Sequence, residues 1–153
     1  MVTTDTLRTY EKQLYTIEQV AIRTGFTKRT LRYYEALGLL YPVGRTEGNY
    51  RRYAESDIQR LEQIKEMHEL LGFTLTEIRA ILGAEDERGH IKAACKDETD
   101  AAAKIAQLDR ADELIRRQLH CIQHKLAGLE QMRSALIAKL EHHKQLRNEL
   151  LDT

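Results

Sequence analysis

An apolar three-four repeat in the last third of the chain is the strongest constraint on the fold. It runs from Ile105 to Leu150, and with Leu119 at heptad position a it also places Leu126 and Leu140 at a. The d positions of the same frame hold Leu108, Ile115, Ile122, Leu129 and Leu136. Such a repeat predicts a coiled-coil helix, about 69 Å long if unbroken at 1.5 Å per residue. Because one slender helix cannot bury these eight a and d residues, the seam, we expect it to pair with a second copy.

The rest of the sequence has room for one small domain. Of the 153 residues, 42% are hydrophobic and 31% are charged, which is typical of a folded, helix-rich protein. We predict a polar tail at 1–14, a domain at 15–83, a linker at 84–99 and the coiled-coil helix at 100–150. No run of about eighteen apolar residues occurs, so we expect no membrane partner. The polar first residues lack the apolar core of a secretory signal, which predicts a cytoplasmic protein.

Charge is distributed unevenly along the chain. Overall, 24 Lys and Arg residues balance 24 Asp and Glu residues, yet residues 23–53 contain seven basic and two acidic residues, a net charge of +5. Tyrosines are interleaved with these cations. Lys and Arg neutralise DNA phosphates, and tyrosine hydroxyls donate hydrogen bonds to them. The block therefore favours a nucleic-acid partner over the alternative, a solvated basic surface.

Two short helical patterns lie within and just before this block. Thr16 is a predicted N-cap for a helix over 17–23, and Thr27 for a second helix over 28–37 that ends at Gly38. The side of the second helix that lies opposite its apolar stripe carries Lys28, Arg29, Arg32 and Tyr33. This arrangement predicts a helix-turn-helix, with an ordinary helical hairpin as the alternative.

The segment after this motif predicts a small β-hairpin and two further helices. Extended runs at 39–43 and 50–53 flank a turn at 44–49 that is rich in glycine and contains asparagine. Apolar residues at helical spacing then predict helices over 55–71 and 77–82. We interpret their apolar faces as core.

Three motifs follow one another between Tyr15 and about Leu82: LRYYEALGLL, NYRRY and LGFTLTEIRAIL. In this order and spacing they resemble the winged helix-turn-helix domain of the MerR family of bacterial transcription regulators, over nearly half of the chain. One departure is Asn49, which precedes the wing tyrosine where the family usually has glycine. Because asparagine tolerates positive φ, we expect the turn to be kept.

The resemblance implies a mostly α-helical fold, in which a winged helix-turn-helix DNA-binding domain precedes a long antiparallel coiled-coil dimerisation helix. It implies DNA contacts from the first two helices and the wing. The candidate residues are Thr16, Thr27, Lys28, Arg29, Thr30, Arg32, Tyr33, Arg45, Tyr50, Arg51 and Arg52. Their chemistry agrees, since long cationic side chains reach base edges and phosphates.

The resemblance also implies how such a chain acts. A homodimer would bind double-stranded promoter DNA at a palindromic operator, with RNA polymerase as a further partner at the promoter. It would control transcription by distorting the DNA in response to an effector. Asp112 and Arg133 occupy a positions on either side of Ile122, so an antiparallel partner would bring opposite charges together. Two seam edges without specific pairing are the alternative.

The sequence leaves the effector open and requires no cofactor. Cys95 and Cys121 are candidate metal or redox residues, and His120 and His124 have a spacing that can bind a metal. The outward heptad positions of Cys121 and both histidines favour solvated surface residues instead. The alternative functions are an effector-independent architectural DNA-binding protein and a thiol- or metal-binding coiled-coil protein. We expect no enzyme, because no nucleophile–base pair or phosphate-binding glycine loop emerges.

Overall fold

The computed structural model describes residues 14–42, 44–45 and 50–153, and the backbone alone of Arg45. The elements in chain order are α1 (Ile17–Thr24), α2 (Lys28–Ala36), β1 (Gly44–Arg45), β2 (Arg51–Arg52), α3 (Glu55–Lys65), a π-helical segment (Glu66–Leu70), α4 (Leu75–Asp97) and α5 (Ala101–Leu151). The mostly α-helical fold class is confirmed. Apart from Leu14, the predicted tail lies outside the described residues, as does most of the wing turn with Asn49.

Threonine caps begin the first two helices, as the sequence predicts. The hydroxyl of Thr16 accepts a hydrogen bond from the backbone N–H of Gln19 at 3.3 Å, and the Gln19 side chain accepts one from the Thr16 N–H at 2.9 Å. This reciprocal pair is a capping box. The hydroxyl of Thr27 accepts from the N–H of Thr30 at 3.1 Å. Local side-chain chemistry therefore sets where α1 and α2 start.

The turn between α1 and α2 depends on Gly25. Its φ is +78°, a left-handed conformation that glycine adopts without steric cost. A Cβ at this position would lie 3.3 Å from Nζ of Lys65, which donates a hydrogen bond to the carbonyl of Thr24 at 3.1 Å. The turn is thus fixed both by its own backbone and by a lysine from α3.

We expect Gly25→Ala to lower the free energy of unfolding by about 1–2 kcal/mol, because an L side chain is strained at this φ. Urea denaturation followed by circular dichroism measures the change. Gly128→Ala is the control of opposite sign: Gly128 lies inside α5, and no described atom comes within 4 Å of its Cβ position. That substitution should add about 0.5–1 kcal/mol. Equal stability of Gly25→Ala and the wild type would contradict this account of the turn.

The β-hairpin begins later in the chain than predicted. β1 and β2 pair antiparallel, with Gly44 opposite Arg52 and Arg45 opposite Arg51. The strand predicted at 39–43 is wrong for 39–42, which form no strand. Leu39 and Leu40 are both fully buried, whereas successive side chains of a strand point to opposite faces.

A backbone bridge joins the start of α1 to the base of the hairpin. The N–H of Tyr15 donates to the carbonyl of Tyr53 at 2.7 Å, and the N–H of Tyr53 donates back at 2.9 Å. Tyr53 directly follows β2, and Tyr15 lies two residues before α1. The bridge therefore brings the N-terminal end of α1 beside β2.

One apolar core supports this part of the chain, which forms a compact unit that ends at Leu82. The fully buried side chains are Val20, Leu31, Leu39, Leu40, Tyr53, Ile58, Leu61, Ile64, Ile78 and Leu82. Those on helices belong to the apolar faces read from the sequence, so their interpretation as core is confirmed. The interpretation is wrong for Leu70 and Leu71, at the end of the helix predicted over 55–71, which are 79% and 52% exposed. Each such burial contributes about 1.5–3 kcal/mol.

The segment predicted as a linker, 84–99, is helical as far as Asp97, so the expectation of an irregular connection is wrong there. Three residues, 98–100, separate α4 from α5. Gly83 and Gly89 lie inside α4, and each lowers the stability of the helix by about 1 kcal/mol relative to alanine. Contacts remote in sequence act against this cost. They are the ion pair of Arg110 with Glu87 at 2.9 Å and the hydrogen bond from the Cys95 thiol to Gln107 at 2.9 Å.

The long helix α5 begins where the sequence predicts. Asp100 caps it by accepting a hydrogen bond from the N–H of Ala103 at 3.0 Å, and the helix continues to Leu151. All eight seam residues are exposed in the single chain; Leu126, for example, is 58% exposed. A second face of α5 is buried at Leu114 and half-buried at Gln107, Ala111, Gln118, Cys121 and Lys125. In the described part of the chain, no helix combines the length and apolarity needed to cross a membrane.

Candidate DNA interface

A cleft of about 300 Å³ lies between the start of α1 and the second strand. We call it the arginine cleft. It is lined by Thr16, Ile17, Glu18, Arg32, Tyr50, Arg51 and Arg52. The Tyr15–Tyr53 bridge explains this meeting of segments, since it holds the first turn of α1 against β2. Three arginines and a tyrosine hydroxyl around one concave surface are donors that suit a phosphate group.

The helix α2 presents one polar face and buries the other. Its predicted contact residues Lys28, Arg29, Arg32 and Tyr33 are all exposed. In contrast, Leu31 is fully buried and Tyr34 is 5% exposed, and the ring of Tyr34 meets that of Phe26 edge-to-face at 5.4 Å. The core thus fixes the roll of α2 and places its long cationic side chains on the surface.

Acidic residues hold two of the predicted contact cations. Nζ of Lys28 lies 3.0 Å from a carboxylate oxygen of Glu18, and Nε of Arg51 lies 2.5 Å from Oε2 of Glu35. The pKa of Glu18 is lowered, first by a hydrogen bond from its own backbone N–H and then by Lys28. Sequence reasoning missed both carboxylates. Glu35 lies 16 residues before Arg51, and no local pattern reports a pairing over that distance.

The three predicted threonines already have internal partners. Thr16 caps α1 and also lines the arginine cleft. Thr27 caps α2, and its hydroxyl lies 2.9 Å from that of Thr30. Each hydroxyl retains acceptor capacity, because one oxygen carries two lone pairs. These residues therefore orient the helix starts whatever else they contact.

The wing residues fall into different environments. Tyr50 is 74% exposed. Arg51 and Arg52 are half-buried in β2 and line the arginine cleft. The side chain of Arg45 lies outside the described residues. Half-burial of two arginines in a concave site reduces their hydration, which strengthens their interaction with a bound anion.

Tyr53 directly follows the two arginines that β2 contributes to the arginine cleft. It is fully buried, and its hydroxyl has no hydrogen-bond partner among the described residues. Burial raises the pKa of this hydroxyl, and the negative charge of Glu35 raises it further. The ring therefore stabilises the unit by packing, whereas the hydroxyl adds a desolvation cost.

We accordingly expect Tyr53→Phe to leave the free energy of unfolding unchanged or to raise it by up to about 1 kcal/mol. Thermal and urea unfolding measure this. Tyr41→Phe, at a residue that is 63% exposed, controls for the loss of a solvated hydroxyl. A loss of stability in Tyr53→Phe that Tyr41→Phe does not share would mean that the buried hydroxyl is satisfied.

The candidate metal and redox residues lie apart from this interface in sequence. The Cys95 thiol donates to Gln107, as described above, and Cys121 is half-buried, so its predicted solvent-facing position is wrong. It belongs to the second face of α5 rather than to the outer surface. His120 and His124 are exposed. Among the described residues, no three His, Cys, Asp or Glu side chains gather in a group that could hold a metal ion.

Comparisons with known proteins agree with this geometry. The family model for the MerR HTH family regulatory protein matches residues 15–85. The HTH-type transcriptional regulator YfmP of Bacillus subtilis is 32% identical over 120 residues, which cover 78% of this chain and 86% of that protein. The mercuric resistance operon regulatory protein of Bacillus cereus is 41% identical over 104 residues, covering 67% and 76%.

A solved transcriptional regulator of the MerR family from Bacillus cereus is 27% identical, covering 78% of this chain and 80% of its own, with a TM-score of 0.44. The two sequence relatives establish the family. Each is more than 30% identical, and the match spans over three quarters of each relative's length. The likeness therefore extends beyond the helix-turn-helix, and the chain belongs to the MerR family of DNA-binding transcription regulators.

Proposed function

We propose that this regulator binds a palindromic promoter operator as a homodimer, and that each arginine cleft takes one backbone phosphate beside the major groove. The observation that carries the proposal is the meeting of Arg32, Arg51, Arg52 and Tyr50 around one concave surface. These side chains come from α2 and from the second strand. A phosphate in the cleft would therefore fix the position of both elements on the duplex.

The exposed face of α2 supplies the base contacts in this proposal. Lys28 and Arg29 lie in its first turn, beyond the Thr27 cap, and Tyr33 is 54% exposed one turn later. The N-terminal residues of a recognition helix are those that reach base edges in the major groove. An arginine there can pair with guanine through two hydrogen bonds. Glu18 must release Lys28, or share it, when DNA binds.

The seam supports the homodimer. Eight Leu and Ile side chains at a and d positions are exposed along one side of α5, and a second copy would bury them. The pairing of two 51-residue α5 helices would bring two copies of the DNA-binding unit, the two heads, into one dimer. A palindromic operator follows from that two-fold symmetry.

The remaining parts of the proposal concern transcription. We propose that the dimer acts in the cytoplasm, on a promoter that RNA polymerase also contacts, and that it distorts the duplex in response to an effector. The relative from Bacillus cereus is a mercuric resistance operon regulator, which supports an effector response as a class. Cys95 and Cys121 remain the proposed thiol or metal residues of this chain.

Selection from a random-sequence DNA library tests the operator and its symmetry. We expect the wild-type protein to enrich an inverted repeat, at a stoichiometry of two chains per duplex in sedimentation. Enrichment of a single half-site, or none, would contradict the proposal. Transcription from a promoter carrying the selected sequence, with and without divalent metals or a thiol oxidant, then tests the effector. Cys95→Ser and Cys121→Ser variants report which cysteine responds.

A further inference from the structure

The ion pair between Glu35 and Arg51 links α2 to the wing. Glu35 lies in the last turn of α2, and Arg51 lies in β2. Nε of Arg51 is 2.5 Å from Oε2 of Glu35, and the side chains are only 28% and 21% exposed. The ion pair of Arg23 with Glu55, in comparison, is 43% and 47% exposed. The Glu35 pair is therefore screened less by water.

The position of Glu35 is costly without its partner. A carboxylate in the last turn of a helix faces the negative end of the helix dipole. Its charge also raises the pKa of the buried hydroxyl of Tyr53. Partial burial adds a desolvation penalty for the negative charge. An unpaired Glu35 would therefore destabilise the unit, so the contact with Arg51 has a strong tendency to persist.

The contact through Nε fixes how the Arg51 guanidinium is oriented. The group is planar, with five N–H donors in a rigid fork. Once Nε is held by a carboxylate, the plane is set and the two terminal nitrogens remain for other acceptors. Arg51 lines the arginine cleft together with Arg32 and Arg52. The terminal nitrogens of Arg51 are thus the part of the side chain available to a group in the cleft.

We infer that Glu35 is a positioning residue for DNA binding, which orients the guanidinium of Arg51 toward a phosphate of the operator. The inference rests on the proposed DNA interface. A carboxylate in a cationic surface also repels DNA in general, so Glu35 lowers affinity for duplexes that do not fit the cleft. Glu35 therefore raises affinity for the operator and lowers affinity for other duplexes, and both effects raise the ratio of specific to non-specific affinity.

The test compares the selected operator duplex with a scrambled duplex of the same length. Glu35→Gln should weaken operator binding by about tenfold per head, the size of one charge-assisted hydrogen bond, and so on the order of a hundredfold for the dimer. Binding to the scrambled duplex should be equal to or tighter than that of the wild type. The slope of log Kd against log salt concentration on the operator should move to the value of Arg51→Gln, because the same phosphate contact is lost.

Two further variants separate positioning from a simple tether. In an Arg51→Gln background, adding Glu35→Gln should change operator affinity by less than about twofold, since the two residues act through one contact. Arg51→Lys keeps the charge and can still pair with Glu35, but it lacks the fork. It should lose operator affinity to a similar extent as Glu35→Gln. This variant therefore tests the proposal even if Glu35→Gln unfolds.

Glu55→Gln is the matched control, because it breaks an ion pair of 2.8 Å with Arg23 that lies outside the cleft lining. Its specific to non-specific ratio should equal that of the wild type. The inference is overturned if Glu35→Gln weakens both duplexes equally, if its salt slope stays at the wild-type value, or if Arg51→Lys binds the operator like the wild type. A wild-type protein that discriminates no duplex would instead overturn the proposed interface itself.

Discussion

Leu126→Asp is expected to convert the proposed dimer into a monomer and to abolish operator binding with it. Leu126 is 58% exposed in the single chain and occupies an a position of the seam. Burying a leucine contributes about 1.5–3 kcal/mol, and a charge at the same place adds a penalty of several kcal/mol. The dimer carries two copies of the change. Together these costs predict a dimer that dissociates at least about a thousandfold more readily.

Sedimentation equilibrium gives the dissociation constant directly, and circular dichroism reports whether the unit that ends at Leu82 stays folded. His124→Asp is the matched control, because His124 is exposed at position f, two residues before Leu126. It introduces the same charge away from the seam and should remain dimeric. If Leu126→Asp is still a dimer at the protein concentration at which the wild type is one, the seam is not the dimer interface.

A charge reversal tests the register of the same interface. If Asp112 and Arg133 meet across an antiparallel pair, Asp112→Arg should weaken the dimer, and the further change Arg133→Asp should restore it. Each side chain is exposed in the single chain, so neither change disturbs a buried contact. The expected effect of a partly exposed pair is about 1 kcal/mol. Failure of the double variant to recover would exclude this register but not the seam.

Features set by neighbouring residues could be predicted from the sequence. The predicted caps Thr16 and Thr27 act over three residues, and the structure has both where their side-chain chemistry predicts. Helical spacing likewise predicted the buried face of α2. Leu31 and Tyr34 are three residues apart, which places them on the same side of the helix, and both are buried. In both cases the information needed lies within one turn of helix.

Features set by remote contacts could not be predicted in this way. Residues 84–97 have weak periodicity and include Gly89, and the helix there gains contacts from α5 through Arg110 and Gln107. The partners of the cationic block were missed for the same reason. A net charge of +5 over residues 23–53 counts Arg51 and Glu35 separately, whereas the fold brings them into contact. Composition thus predicts where the cations are concentrated, and only the fold shows which of them are held and how.

The loss of Arg32 tests the arginine cleft itself, and we expect Arg32→Ala to weaken operator binding on the order of a hundredfold. Arg32 is exposed on α2 and also lines the cleft, so it can contact a phosphate or a base edge. One such contact is worth about 1–3 kcal/mol, and 1.4 kcal/mol is a factor of ten. A dimer loses the contact in both heads, so the loss of affinity is the square of the loss for one head.

The salt dependence distinguishes the two kinds of contact that Arg32 can make. If it neutralises a phosphate, the slope of log Kd against log salt concentration falls by roughly two units for the dimer, and all duplexes are weakened alike. If it reads a base, the slope changes little and one operator position loses its preference. Lys92→Ala removes an exposed positive charge from α4 and controls for net charge. Wild-type operator affinity in Arg32→Ala would exclude the arginine cleft from the interface, because no other residue of the cleft comes from the recognition helix.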